Sequence, residues 1–322
     1  MTERIHRRRR CQLPVPASSV GRIEHALSLG ADHVFLDLED SVAPTMKFEA
    51  RRNVITAFNE MDWGRTVRCF RMNGLDRAWA YQDLITVVEA AGRNIDTLMI
   101  PGVKHVRDLH FVDTFLTQIE QKIDTRRKIG LELLIEDAQG IANVTALALA
   151  SPRVEALIFG ATKYARTPDA GFRECAGEPH AYPGDIWHHQ RSAIANAARV
   201  AGADYVDGPC TSLTNPDAYD RECRMVRALG AVGKWVEHPS QIPIAINAFS
   251  PSRQEIADAL RYLAELDVVK TRGIGTVTAI DGRLLDIATV PLLEAIVAQA
   301  EFFGLEIPEA ACQPATRPPS AR

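Results

Sequence analysis

Short runs of aliphatic and β-branched residues alternate with longer stretches whose apolar positions recur every three or four residues, from the start of the chain to about residue 249. The short runs are Gln12–Val15, His33–Leu38, Thr66–Met72, Thr97–Ile100, Ile129–Ile135, Val154–Phe159, Asp204–Val206 and Lys234–Val236. Their hydrophobicity is continuous rather than alternating, which predicts strands buried on both faces of a parallel sheet. The stretches between them predict helices over Gly21–Leu29, Lys47–Glu60, Asp76–Ala91, Val106–Ile123, Gly140–Ala150, Ile186–Ala201 and Asp217–Leu229. Several close on a glycine (Gly30, Gly202, Gly230), where a left-handed residue ends a helix at little cost.

Eight strands, each followed by a helix, predict an α/β fold of the (β/α)8 TIM-barrel type over residues 1–249. A doubly wound sheet fits less well, because no G-x-G-x-x-G follows the first strand. Ser250-Pro251-Ser252 then punctuates the chain, and residues 250–307 read as a small C-terminal helix-hairpin-helix extension. Its parts are a helix (Arg253–Leu266), a hairpin turning at Asp281-Gly282 between Thr276–Ile280 and Arg283–Leu285, and a last helix (Val290–Phe303). Too small for a large core of its own, it is expected to pack on the barrel or on a neighbouring subunit. Residues 308–322, rich in Pro and Ala, read as a disordered tail. The longest irregular segment, Gly160–Gly184, follows the sixth strand, and long loops in compact domains are often functional.

Composition narrows the class. With 322 residues, 46% of them hydrophobic and 24% charged, the chain has the balance of a soluble globular protein. No run approaches the roughly 18 apolar residues of a membrane span. A formal charge of −4 offers no global field for nucleic acid. Six cysteines lie scattered without a C-x-x-C pair, which argues against a zinc knuckle and for free thiols in a reducing cytoplasm. The N-terminus is basic, but no apolar segment follows as a secretory signal requires. The run Arg7-Arg8-Arg9-Arg10 reads as a solvated tail or, more sharply, as a contact for a polyanion such as the phosphates of coenzyme A.

In a barrel the active site forms where the strands end. The ends here read Leu36-Asp37-Leu38-Glu39-Asp40, Phe70-Arg71-Met72-Asn73, Leu134-Ile135-Glu136-Asp137, Phe159-Gly160-Ala161-Thr162-Lys163 and Trp235-Val236-Glu237-His238. Any single acid is as well explained as a helix cap or a salt bridge; Asp40, just before a helix, could be a cap alone. Acids converging from several strand ends with an arginine and a lysine have to be paired with each other or with a ligand. The histidines carry less: His188-His189 lack the i,i+4 spacing of a metal pair, and His238 reads as a residue that fixes the eighth loop. Gly273-x-Gly275 is a weak nucleotide signal that fits a hinge.

Taken in order, Arg10-Cys11-Gln12-Leu13-Pro14-Val15-Pro16, Leu36-Asp37-Leu38-Glu39-Asp40-Ser41-Val42 with Lys47 and Ala50-Arg51, Arg71-Met72-Asn73, Leu134-Ile135-Glu136, Phe159-Gly160, Gly233-Lys234 with His238-Pro239-Ser240-Gln241-Ile242, and Phe249-Ser250-Pro251-Ser252 resemble the citrate lyase β-subunit-like family. That family includes malyl-CoA lyases and lies within the HpcH/HpaI aldolase superfamily; the resemblance runs from about Arg10 to Phe303. It implies a TIM barrel that cleaves or forms a carbon–carbon bond beside a carbonyl, often on a CoA thioester, with a 2-oxo acid half held by Mg²⁺. Carried onto this sequence, it implies that Arg71 binds a carboxylate or thioester oxygen, that Glu136 is the first metal ligand, and that Asp286 serves as acid/base, often delivered from a neighbouring subunit. Asp37, Glu39 and Asp40 would hold substrate or water, and Arg10 would lie near a substrate phosphate or carboxylate. A C-terminal segment that completes a neighbour's site implies a homo-oligomer, such as a trimer or hexamer.

The sequence departs from the family where the second metal carboxylate belongs, in a Gly-x-x-Asp context, because Gly160-Ala161-Thr162 is followed by Lys163. A protonated lysine cannot ligate Mg²⁺. Three readings follow. The Lys163 ammonium replaces the metal and pairs with Glu136; or Lys163 faces solvent while Asp137 or Asp169 completes a displaced metal site; or Lys163 is a desolvated nucleophile that forms a Schiff base. The expected activity is a lyase acting on a malyl-CoA- or citramalyl-CoA-like thioester or related hydroxy acid. The alternatives are an acyl-CoA thioesterase on the same scaffold and a non-catalytic protein that binds CoA or an oxo acid.

Overall fold

The computed structural model describes residues 5–166, 185–210, 213, 215–270, 276–279 and 281–308, side chains at 268–270 and 277 apart. Residues 167–184 of the predicted Gly160–Gly184 loop, the Gly273-x-Gly275 pair, Ile280 at the end of the predicted hairpin strand, Asp169, Cys175, Cys312 and the tail from 309 lie outside those residues. The chain divides into two compact units, 1–249 and 250–322. In the first, eight parallel strands close into a barrel in sequence order: β1 (Cys11–Pro16), β2 (His33–Asp37), β3 (Val67–Arg71), β4 (Thr97–Ile100), β5 (Gly130–Ile135), β6 (Val154–Phe159), β7 (Asp204–Asp207) and β8 (Gly233–Trp235). The barrel shuts where β8 pairs with β1, Cys11 lying opposite Lys234.

Successive residues of a strand face opposite sides, so each strand has an inward and an outward set. Val34, Leu36, Phe70, Leu131, Leu133 and Ile135 face out into the main core against the helices. Inward-facing side chains form three layers. The middle one is apolar: Phe35, Cys69, Met99, Leu134, Ile158, Val206 and Trp235 fill the interior. A polar network lies below it, toward the strand starts. There Glu132 accepts from Arg9 Nε (3.1 Å) and Gln12 Nε2 (2.9 Å) and lies 3.0 Å from His33 Nε2. Arg9 also reaches Glu155 (2.7 Å) and Asp204 (2.8 Å), and Arg7 bridges Glu155 and Asp96. The arginine run is therefore neither a solvated tail nor a free anion-binding strip. Its side chains at 7, 9 and 10 are held in ion pairs at the end of the barrel where the strands begin.

The upper layer, at the strand ends, rests on one pair. Arg71 donates from Nε and Nη2 to the two oxygens of Asp37, at 2.7 Å each. Asp37 also accepts from Glu39 N, Ser41 N and Ser41 Oγ. Burial by itself would raise the Asp37 carboxyl, but the Arg71 guanidinium and these hydrogen bonds hold it at about 2.

Two predicted helices are interrupted. The stretch over Asp76–Ala91 becomes Ala80–Gln82, a wide π turn at Asp83–Val87, and Val88–Ala91. That turn carries the fully buried Asp83, whose carboxylate takes hydrogen bonds from Asn73 N, Asn73 Nδ2 and Arg51. The stretch over Gly140–Ala150 breaks at Asn143, whose side chain donates to the Lys104 carbonyl. After β6 a short helix, Ala161–Ala165, opens the long predicted loop. In the second unit a helix (Arg253–Lys270), an antiparallel hairpin of β9 (Thr276–Thr278) and β10 (Leu284–Asp286), and a helix (Val290–Phe303) share a core of Ala259, Tyr262, Leu266, Ala279, Leu285 and Leu293. Gly282, at φ +84°, makes the hairpin turn.

Two stability predictions follow from the charged layers. Arg9→Met strands Glu132 in the interior and lowers stability by about 3–5 kcal/mol, read from the urea midpoint; adding Glu132→Gln recovers part of that loss. The Asp37 carboxyl lies at about 2 when folded, against 3.8 ordinarily, so it binds fewer protons in the folded than in the unfolded chain. Its contribution, about 2 kcal/mol, is therefore present above pH ~4 and is lost as the pH falls toward ~2. Urea unfolding of the protein and of Asp37→Asn across this window should show the difference between them shrinking as the pH is lowered.

Candidate active site

The strand ends enclose a cavity of about 350 Å³ lined by Asp40, Arg71, Glu136, Lys163, Arg166, Trp235 and Glu237, among others. Arg71, at the end of β3, is buried, and its guanidinium lies over the rings of Phe35 (5.7 Å) and Trp235 (5.8 Å). The aromatic faces and the bidentate grip of Asp37 fix its plane. Its third nitrogen, Nη1, lies 3.2 Å from Glu39 Oε2.

The loop after β2 is shaped from beneath by Lys47, whose buried ammonium donates to the carbonyls of Leu38 (2.5 Å) and Glu39 (2.7 Å) and to Asn73 Oδ1 (2.7 Å). This presents Asp40 to the cavity and Glu39 to Arg71 and Lys163. Glu136, one residue beyond β5, packs directly on Gly160. A β-carbon at 160 would meet Glu136 Cβ at 3.0 Å and Oε2 at 3.2 Å, which accounts for the glycine there. The helix Ala161–Ala165 is pinned through Tyr164, whose ring contacts those of Phe159 and Trp187 and whose hydroxyl accepts from Gln190. Lys163, half-buried on that helix, then extends into the acids. Its Nζ is 2.8 Å from Glu39 Oε1, 2.8 Å from Asp40 Oδ2 and 3.4 Å from Glu136 Oε1.

Electrostatics follow from this geometry. Burial pushes the Glu136 carboxyl up to about 7, reinforced by the charge of Glu39 and opposed by Lys163 and Arg71. Burial likewise raises Glu39 against the pull of Arg71 and Lys163. For Lys163 burial favours the neutral amine, but Glu136 and Glu39 outweigh it and hold the group protonated, above the ordinary lysine range. An ammonium so held has no lone pair to offer, and the three carboxylates around it favour the ion-paired reading over the Schiff base.

The site thus brings together Asp37, Glu39, Asp40, Arg71, Glu136 and Lys163. Asp40 is no helix cap; it pairs with Lys163. Arg10 is not brought to this place. It precedes β1, at the opposite end of the barrel, where Nε and Nη2 grip the two oxygens of Asp32 (2.6 and 2.8 Å). Asp286 belongs to the second unit, where it is exposed and accepts from Thr289 N to cap the turn Ile287–Thr289. His238 caps the turn Pro239–Gln241 after β8. Residues given no role from sequence prove structural to the site: Lys47 and Asn73 under the β2 loop, and Phe35 and Trp235 beneath Arg71. The period of two in His33-x-Phe35-x-Asp37 and Glu132-x-Leu134-x-Glu136 was the available signal for which residues share the interior.

The chemistry of Glu39, Asp40 and Glu136 suits a hard divalent ion, but the geometry does not. Such an ion would sit about 2 Å from carboxylate oxygens, in the space the Lys163 ammonium takes. Asp137 does not complete a displaced site, since it caps Gly140 N and pairs with Lys104. A second set of potential ligands, His33, Cys69 and Glu132, is enclosed in the barrel, and there the Glu132 carboxylate is already taken up by Arg9, Gln12 and His33. Among the described residues, these side chains therefore do not fit a divalent metal while Lys163 keeps its place.

Comparison with known proteins agrees with this architecture. The chain is 38% identical over 304 residues to an L-malyl-CoA/β-methylmalyl-CoA lyase of Cereibacter sphaeroides, covering 92% of this chain and 95% of that protein. It is 31% identical over 291 residues to a malyl-CoA/β-methylmalyl-CoA/citramalyl-CoA lyase of Chloroflexus aurantiacus, covering 85% and 82%. Among solved structures it is similar to protein CitE of Mycobacterium tuberculosis in complex with magnesium, acetoacetate and coenzyme A, at 26% identity and a TM-score of 0.69, covering 90% and 97%. No helix among the described residues is long and apolar enough to cross a membrane. The profile of one family matches residues 10–239, most of the barrel, and with these relatives it shows that the chain belongs to the HpcH/HpaI aldolase/citrate lyase family.

Proposed function

We propose that the protein is a carbon–carbon lyase acting on a 3-hydroxyacyl-CoA thioester of the malyl-CoA or citramalyl-CoA type. The observation that carries this reading is Arg71, locked by Asp37 and facing a cavity that Lys163 and Arg166 also line. Such a pocket suits a substrate that bears a carboxylate and develops negative charge on oxygen. The relatives named above supply the thioester class.

In cleavage, the substrate hydroxyl gives up its proton and its oxygen becomes the carbonyl of a 2-oxo acid. The electrons of the carbon–carbon bond pass to the thioester as an enolate, which takes a proton at carbon to give the acyl-CoA. The reverse direction is a Claisen-type condensation. Arg71 holds the carboxylate or the developing oxyanion; its planar fork is already oriented, so little reorganisation is needed as charge builds. Lys163 adds a second fixed positive charge. Asp37 acts by holding Arg71, and Glu39 and Asp40 act by orienting Lys163 and polar groups of the substrate. Proton transfer is assigned to Asp286, delivered by the C-terminal unit of a neighbouring copy in a homo-oligomer. The free thiols of Cys11, Cys69 and Cys223 suit a reducing cytoplasm.

The test is turnover of malyl-CoA, β-methylmalyl-CoA and citramalyl-CoA, following the 2-oxo acid and the acyl-CoA together. Equal release of both is expected. Free CoA thiol without oxo acid would make the protein a thioesterase, and no turnover with thermal stabilisation by CoA or an oxo acid would make it a binding protein. Arg71→Met is expected to lower kcat/KM about 10²–10³-fold. Arg71→Lys should restore little of this, because a single ammonium cannot grip Asp37 with both oxygens and face the cavity as well.

A further inference from the structure

Carboxylates gathered from two separate strand ends require a cation among them, since several buried acids close together cannot all ionise unpaired. Here Glu39 and Asp40 come from the loop after β2 and Glu136 from the end of β5, and all three meet one side chain of the chain itself. An ammonium has three N–H donors, and Lys163 has three carboxylate partners to receive them. Its position is built rather than incidental. The helix that carries it is anchored by Tyr164 between Phe159 and Trp187, and Gly160 lets that helix start flush against Glu136.

We propose that Lys163 is the resident cation of this site, standing at the position where the family resemblance expects a metal-ligand carboxylate, so that the protein works without a divalent metal. This rests on the lyase reading for its chemical purpose but not for its geometry. A monovalent ammonium gives less charge than a dication and gives it directionally, through hydrogen bonds. Of the three partners Asp40 is the most exposed, its side chain 57% accessible against 13% for Glu39 and 7% for Glu136. Asp40 is thus the contact a substrate oxygen replaces. Lys163 would then donate to the oxygen of the 2-oxo acid half while Glu39 and Glu136 keep it in position, and Arg71 would hold the neighbouring charge.

The experiment uses the full chain, stripped with chelator, and Mn²⁺ as the probe, with free Mn²⁺ counted by its electron paramagnetic resonance signal. The unmodified protein should leave Mn²⁺ free up to millimolar concentrations. Lys163→Asp, which restores an acid, and Lys163→Met, which only removes the ammonium, should each bind it at least about tenfold more tightly. Magnesium should raise the melting temperature of these variants and not of the parent. Lys163→Met serves as the control if Lys163→Asp fails to fold. Micromolar Mn²⁺ binding by the unmodified protein, or turnover that appears only when Mg²⁺ is added back, would overturn the inference and leave the lyase reading standing. Absence of turnover with every thioester would remove the lyase reading, while the metal titration would still decide the role of Lys163.

Discussion

The interior of a closed eight-stranded barrel is too narrow to hydrate charged side chains, and the pairing of Asp37 with Arg71 is what makes the upper layer tenable. Without Asp37 the guanidinium would be buried over two aromatic rings and lose its bidentate partner, keeping the single contact to Glu39. Without Arg71 the carboxylate would lie in the same place among hydrogen bonds alone. Removing one member of such a pair costs more than the pair itself contributes, because the partner stays behind unmatched. The order of the rest follows. Asp37 fixes Arg71, Arg71 draws in Glu39, Glu39 shares Lys163 with Asp40 and Glu136, and Lys47 holds the loop that makes the sharing possible.

Much of this was legible in the residues. The eight apolar runs became eight strands with boundaries within about a residue or two, because a parallel strand buried on both faces carries little else. The interrupted helices were not legible, since the wide turn at Asp83 and the break at Asn143 answer to distant partners, Asn73 and Arg51 in one case and Lys104 in the other. The acids of the upper layer stood out at strand ends. The lower network did not, because Glu132 and His33 sit within runs that read simply as apolar, and only the two-residue alternation separates inward from outward positions. The arginine run was misread for a related reason. Four consecutive basic residues look like a solvated tail until the barrel's own acids, Glu132, Glu155, Asp204 and Asp32, are seen to meet Arg7, Arg9 and Arg10.

Lys163 shows what each level of description adds. Sequence marked it as a departure from the family pattern and left three explanations open. Geometry weighs them differently, because a lysine facing solvent, a neutral nucleophile and a charged tether each need different neighbours. Three carboxylates around one amine are the surroundings of a charged tether. The pinned helix matters as much as the charge, since without Tyr164 in its aromatic niche the same lysine could swing away into water.

The apolar middle layer has one more consequence. Phe35, Met99, Leu134, Ile158, Val206 and Trp235 close the channel between the two polar ends, so the pocket has a floor and no rear exit through the barrel. Whatever enters leaves again on the side of the strand ends, and a fragment seated on the floor follows the one above it. If the small acid lies at the bottom and the bulky carrier fills the entrance, architecture alone would impose a sequence on product departure.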